Sequence, residues 1–310
     1  MGLDPRARRF LDFVVAGARG RTGALDLSDL RQASVGLAAF AGRAPEVERR
    51  DEFLPGYAPA LALRHYTPRG RSDAALPALV YFHGGGWISG GLDTHDALCA
   101  TLAHRGECRV IAVDYRLAPE HRFPAAIEDG AAALSAIGAD PRRFGVDPRR
   151  LAIGGDSAGA NLAVVVARAP GAPLALQVLL CPVMEPLGRT RSREELANGY
   201  LIEEATMARY WEHYGVEGLA PTDPRVAPLR ARDFAGLPPA LIHVAEFDPL
   251  RDEGELYAEA LAHAGIRVKL TRHAGLIHHF YGLGGVIPAA QAALERIGDD
   301  VREAFAEIAG

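Results

Sequence analysis

The stretch Leu151-Ala152-Ile153-Gly154-Gly155-Asp156-Ser157-Ala158-Gly159-Ala160 joins a short apolar run to an alanine-rich one through glycines. Three apolar residues stopped by glycine fit the end of a buried strand, and the run from Ala158 through Ala167 fits a helix. Gly155, Ser157 and Gly159 satisfy the pattern G-x-S-x-G. In that pattern the chain turns sharply from strand to helix and holds the serine in a strained conformation with its hydroxyl exposed. The flanking glycines let strand and helix approach without a Cβ clash. Ser157 is therefore the candidate nucleophile, and the flanking strand and helix make the signal far more specific than its five letters.

The same rhythm continues in both directions. Short apolar runs at Leu61–Tyr66, Leu79–Phe82, Val110–Val113, Leu176–Leu180, Leu241–Ala245 and Arg267–Leu270 read as strands. Helical segments at Asp96–Arg105 and Ala125–Gly138 separate some of them. Such alternation predicts an α/β fold, with a mostly parallel central sheet and helices on both faces. Residues 1 to about 50 and about 186–222 read instead as helical, from the spacing of their apolar residues. Ligands in such sheets bind beyond the carboxyl ends of the strands, so the residues after each strand matter most.

Composition narrows the function. The chain has 310 residues, 49% of them hydrophobic and 24% charged, with a net charge of −5. This is globular composition, without a basic face that would point to nucleic acid. Cys99, Cys108 and Cys181 lack the spacing of a disulfide framework or a zinc site. The apolar run Leu174–Met184 is broken by Gln177 and Pro182 and is too short for a membrane span. Arg6-Ala7-Arg8-Arg9 before Phe10–Ala16 loosely resembles a signal peptide, but Asp12 interrupts the apolar stretch. An amphipathic helix in a cytoplasmic protein is the expectation.

Three further strand ends carry candidate chemistry. His83-Gly84-Gly85-Gly86-Trp87 follows Leu79–Phe82. Its backbone N–H groups suit an oxyanion, with Gly84, Gly85 and Ala158 as the expected donors. Trp87 suits an apolar acyl or alcohol pocket, and His83 suits orienting the loop. Asp248 lies just past Leu241–Ala245 and is the candidate carboxylate for holding a base histidine. Glu246 and Asp252 are expected to cap or to pair with Arg251. His278 and His279 follow the last strand and complete the order Ser…Asp…His of α/β-hydrolases, and spacing alone does not separate them. His273, His278 and His279 have no suitably spaced carboxylate or cysteine to make a zinc site, so no metal or other cofactor is expected.

Together these residues resemble the hormone-sensitive lipase-like family of serine esterases. The matching motifs, in order, are HGGGW at 83–87, DYRLAPE at 114–120, FPAA at 123–126, GDSAG at 155–159, GLPPALI at 236–242 and DPLRDEG at 248–254. The resemblance implies an α/β-hydrolase fold with a helical cap: residues 1–50 as its N-terminal part, 51–310 as the catalytic domain, and a second cap segment at about 186–222. It implies Ser157, Asp248 and His278 as a triad, selecting His278 because the family's histidine lies two before an aromatic, here Phe280. It implies hydrolysis of short- to medium-chain esters without a cofactor, and a homodimer through the last strand. Lactones or amides are alternative substrates, and a non-catalytic binder on this fold is an alternative function. Tyr210, Trp211 and Trp87 are candidate substrate contacts, with Phe10, Phe13 and Tyr214 as further lining. Arg209 stands where the family has an aromatic, as a contact for an acidic group or a side chain reaching for water. His279 stands where the family usually has glycine.

Overall fold

Strand β3 (Leu76–Phe82) is buried along its whole length, and its alternate side chains enter two different cores. Leu79 and Tyr81 join Phe10, Leu98, Leu102 and Ile297 on one face; Val80 and Phe82 join Leu134, Leu162 and Tyr257 on the other. A strand covered on both faces has no polar alternation, which is why it reads as an unbroken apolar run. The computed structural model describes all residues except 1, 19–25, 55, 58–59, 72–73, 170–172, 186–187, 221 and 310.

Around β3 the described residues form an eight-stranded sheet in the order β1-β2-β4-β3-β5-β6-β7-β8. The other strands are β1 (Val47–Phe53), β2 (Ala62–Pro68), β4 (Arg109–Asp114), β5 (Val146–Asp156), β6 (Leu176–Leu180), β7 (Ala240–Phe247) and β8 (Val268–Ile277). From β4 to β8 all neighbours are parallel, while β1 and β2 pair antiparallel at one edge. Helices α1 (Pro5–Ala18), α2 (Leu27–Ala38), α3 (Asp96–Gly106), α4 (Ala125–Ala139), α5 (Pro141–Phe144) and α6 (Ala158–Ala167) come first in the chain. They are followed by α7 (Arg191–Glu195), α8 (Glu204–Tyr214), α9 (Arg251–His263) and α10 (Pro288–Ala309). Residues of α3 and α10 pack in the first core, and those of α4, α6 and α9 in the second. The α/β class and its largely parallel sheet are as the sequence predicts.

Three expectations need correction. Residues 47–50 are not helical but begin β1, whose sequence VERRDEF has one buried position at Val47. An edge strand tolerates charge on its open side, so it shows no apolar alternation. Strand β8 runs on to Ile277, which places His273 within the sheet rather than in a loop. It is the opposite edge, and Arg272, His273 and Gly275 conceal how far it continues past the run read as Arg267–Leu270. Finally, Phe10 belongs to the core and Phe13 is 61% exposed, and neither lines the cavity that holds Ser157.

A third apolar cluster lies above the carboxyl ends of the strands. Leu30 of α2 and Met207 and Tyr214 of α8 pack there with Trp87, Ala158, Val183 and Leu250. Arg31 fixes α2 in place by donating to the carbonyls of Ile88 (2.8 Å) and Ala118 (3.1 Å) and to the Glu120 carboxylate. The DYRLAPE segment therefore fastens a helix over the sheet. No helix among the described residues is long and apolar enough to cross a membrane.

Candidate active site

At the end of β5, Ser157 has φ +53° and ψ −117°, so a non-glycine residue is held in a sparsely populated region. A Cβ on Gly159 would lie 2.1 Å from the carbonyl oxygen of Phe82, and one on Gly155 2.4 Å from the same atom. Only glycine fits at either position. The Ser157 N–H donates to the carbonyl of Leu180 (2.8 Å), which ties the turn to β6.

Asp248, fully buried past β7, accepts from Leu250 N–H through Oδ1 (2.8 Å) and meets Nδ1 of His278 through Oδ2 (2.8 Å). His278 itself follows β8. Burial lowers its pKa, but the Asp248 charge and hydrogen bond, helped by Asp156, leave it above the ordinary histidine value. Cys181 completes a group of three metal-type donors with Asp248 and His278, all within 4.8 Å of one another. Burial and the Asp248 charge push that thiol well up, so it stands there as a neutral S–H and not as a thiolate ligand.

Ser157 and His278 line one cavity of about 550 Å³. Its walls come from α1 (Val14), α2 (Leu30, Leu37), the glycine loop, His95, Asp156, Tyr210, His279 and Tyr281. His279, beside His278, lies in this wall with φ +61°. Burial and neighbouring His95 lower its pKa to about 3, so it is neutral near pH 7. His83 behaves as a loop-orienting residue: its Nδ1 meets the carbonyl of Gly84 (2.8 Å) and its ring stacks on Tyr115 (4.2 Å).

The glycine loop departs from expectation in one donor. Gly84 N–H is directed to Oδ1 of Asp156 (3.0 Å), so it is not free to receive an oxyanion. Gly85 and Gly86 adopt φ +117° and +62°, and among the described residues no protein atom accepts from their N–H groups. Asp156 is a site residue that the sequence motifs do not single out, although a carboxylate immediately before the candidate nucleophile, at a strand end, is an available signal. It also accepts from the Tyr81 hydroxyl (2.8 Å) and faces His95 Nε2 (3.3 Å). These contacts depress its pKa despite complete burial, so it is ionised.

The candidate substrate contacts divide. Tyr210 lines the main cavity. Trp87 and Trp211, 4.4 Å apart, border a hollow of about 10 Å³ beside Ser157 instead. Arg209 lines neither; it pairs with Glu212 at 3.6 Å on α8. Asp252 pairs with Arg251 (2.8 Å) as expected, whereas the Glu246 carboxylate accepts from Gly275 N–H (2.7 Å).

Residues 79–282 match the model of a family with the α/β-hydrolase fold. The chain belongs to the hormone-sensitive lipase-like family of α/β-hydrolases. It is 43% identical over 280 residues to the carboxylic ester hydrolase LipN of Mycobacterium tuberculosis, covering 84% of this chain and 74% of that one. It is 36% identical to an ethyl acetate hydrolase of Pseudomonas putida, covering 95% and 96%. Among solved structures, the ester hydrolase EH1AB1 from the metagenome of Lake Arreo superposes with a TM-score of 0.93 at 39% identity, covering 98% and 99%. The fold of the family is thus that of this chain.

Proposed function

We propose that this chain is a serine carboxylesterase that cleaves short- to medium-chain esters through an acyl-enzyme intermediate. The carrying observation is the strained Ser157 in one cavity wall with His278, whose other ring nitrogen meets the buried Asp248 carboxylate. His278 takes the Ser157 proton as the serine oxygen attacks the ester carbonyl. The oxyanion is received by the N–H groups of Gly85, Gly86 and Ala158, and His278 then protonates the departing alcohol. Water repeats the sequence and frees the acid. Asp248 fixes the imidazole tautomer and stabilises its protonated form.

The cavity supports the acyl-chain range, since α1, α2 and α8 give it apolar walls and a finite volume of about 550 Å³. We read α1, α2, α7 and α8 as one cap over that cavity. The intact Asp248–His278 pair argues against a non-catalytic binder. A cytoplasmic location and a homodimer through the open edge of β8, where Leu270 is 41% exposed, belong to the same proposal.

Initial rates on p-nitrophenyl esters from acetate to palmitate test the reading, with Ser157→Ala alongside. Activity should peak at short to medium chains, and kcat should fall about 10⁶-fold in the variant, as when triad members act as a unit. Wild-type turnover in Ser157→Ala would overturn the assignment.

A further inference from the structure

The motif DPLRDEG at 248–254 contributes one carboxylate to the proposed chemistry, yet two others, Asp252 and Glu253, reach to α7. Ser192 of α7 is completely buried. Its hydroxyl donates to the carbonyl of Pro249 (2.7 Å), and its N–H donates to Oδ2 of Asp252 (2.7 Å). The next residue, Arg193, donates from Nε to Glu253 (2.5 Å) and from Nη2 to the carbonyl of Glu185 (2.7 Å). Glu253 is fully buried and its other oxygen accepts from the N–H groups of Met184 and Glu185 (2.8 Å each). A short cap helix is thus bolted to the turn that presents Asp248.

The decisive detail is the peptide group between Pro249 and Leu250. Its C=O accepts from the Ser192 hydroxyl (2.7 Å), and its N–H donates to Oδ1 of Asp248 (2.8 Å). A peptide group is planar and rigid, so fixing its oxygen fixes the direction of its N–H. A chain of hydrogen bonds through one such group also polarises each member. We infer that Ser192 is a positioning residue for the reaction: through the 249–250 peptide it aims the N–H that holds Asp248, and so couples the cap to the base His278. The inference rests on the proposed triad.

The consequence is readable in the base. The groups facing His278 are Asp248 from the end of β7, Asp156 from the end of β5, Cys181 from the end of β6 and its neighbour His279. Of these, Asp248 contributes most to holding the imidazole basic. Without the Ser192 hydroxyl, the peptide can tilt and Asp248 loses a fixed donor. His278 then becomes less basic and less well oriented.

The test uses the full chain and p-nitrophenyl butyrate, comparing wild type with Ser192→Ala, Ser192→Thr and Arg191→Ala. Arg191 is an exposed neighbour on the same helix, paired with Glu195. For Ser192→Ala, kcat should fall about fivefold, the equivalent of one hydrogen bond near 1 kcal/mol, with KM little changed. The acid limb of kcat/KM should move to lower pH. Ser192→Thr, which keeps the hydroxyl, should restore both, and Arg191→Ala should match wild type. A folded Ser192→Ala with unchanged kcat and an unchanged acid limb, whatever its melting temperature, would overturn the inference. Should the alanine variant not fold, Ser192→Cys carries the same test, because a thiol fills the space and donates only weakly. Absence of esterase activity in the wild type would instead sink the proposed function.

Discussion

Replacing Gly86 by alanine tests the oxyanion assignment at its most constrained point. Gly86 has φ +62°, and an added Cβ would lie 2.3 Å from Cγ of Tyr210 and 2.5–2.7 Å from the adjoining ring carbons. The left-handed backbone alone costs about 1–2 kcal/mol for an alanine. The clash cannot be absorbed in place, since real Cβ contacts need more than 3 Å. Either Tyr210 swings away with part of α8, or the loop recoils and carries its N–H groups off the oxyanion position. Loss of one such donor lowers kcat about 10²- to 10³-fold. The assay is kcat on p-nitrophenyl butyrate, with Gly199→Ala as the control. Gly199 has φ +82° and open space around it, so that variant bears backbone strain without a clash. The double variant Gly86→Ala/Tyr210→Ala should recover at least tenfold in kcat over Gly86→Ala, because the obstacle is gone. Gly86→Ala whose crystal structure shows Tyr210 in place and the loop displaced, yet whose kcat stays within a few-fold of wild type, would refute the placement of its N–H among the donors.

Other outcomes follow from the same geometry. The proposed mechanism requires neutral His278, whose pKa is raised above the ordinary 6.5, so kcat/KM should fall with decreasing pH along a limb centred above that value. A pH–rate profile centred below it would contradict the Asp248 pairing. Asp156→Asn keeps an oxygen for Gly84 N–H but removes a charge that helps hold His278 basic; its limb should shift to lower pH in the same profile. Arg209→Ala should leave kcat/KM on neutral esters within about twofold, as for a surface substitution, and a larger loss in steady-state rates would restore Arg209 to the substrate site.

The residues that were legible in the sequence are those whose role depends on strand ends. Ser157, Asp248 and His278 each follow a strand, and in a parallel sheet neighbouring strand ends share one rim, so chain order alone brings them near one another. The direction of an N–H group is not set that way. Gly84 and Gly86 look alike in HGGGW, and what separates them is Asp156, which lies 72 positions on and takes the first donor for itself. Edge strand β1 was hidden for a different reason. Its exposed Glu48, Arg49, Arg50 and Asp51 erase the apolar alternation that marks a strand, whereas β8 was read from Arg267–Leu270 and only its run to Ile277 was missed.

The same distinction explains why DPLRDEG gave up Asp248 and the Arg251–Asp252 pair to sequence reasoning, but not the partners of Glu253. Ser192 is 60 positions before Asp252, in a segment with no strand or glycine pattern to mark it. Nothing local distinguishes it from a surface serine. Yet a buried hydroxyl or carboxylate must find partners or forfeit its hydration. Two adjacent carboxylates at the start of α9, Asp252 and Glu253, cannot both pair with Arg251 on the same short turn. Glu253, which is completely buried, has to find its donors inside the protein. The need for a distant donor arises from that burial and not from the motif itself. Folding identifies that partner as α7, in the region read as cap, and brings it one peptide group away from the proposed catalytic acid.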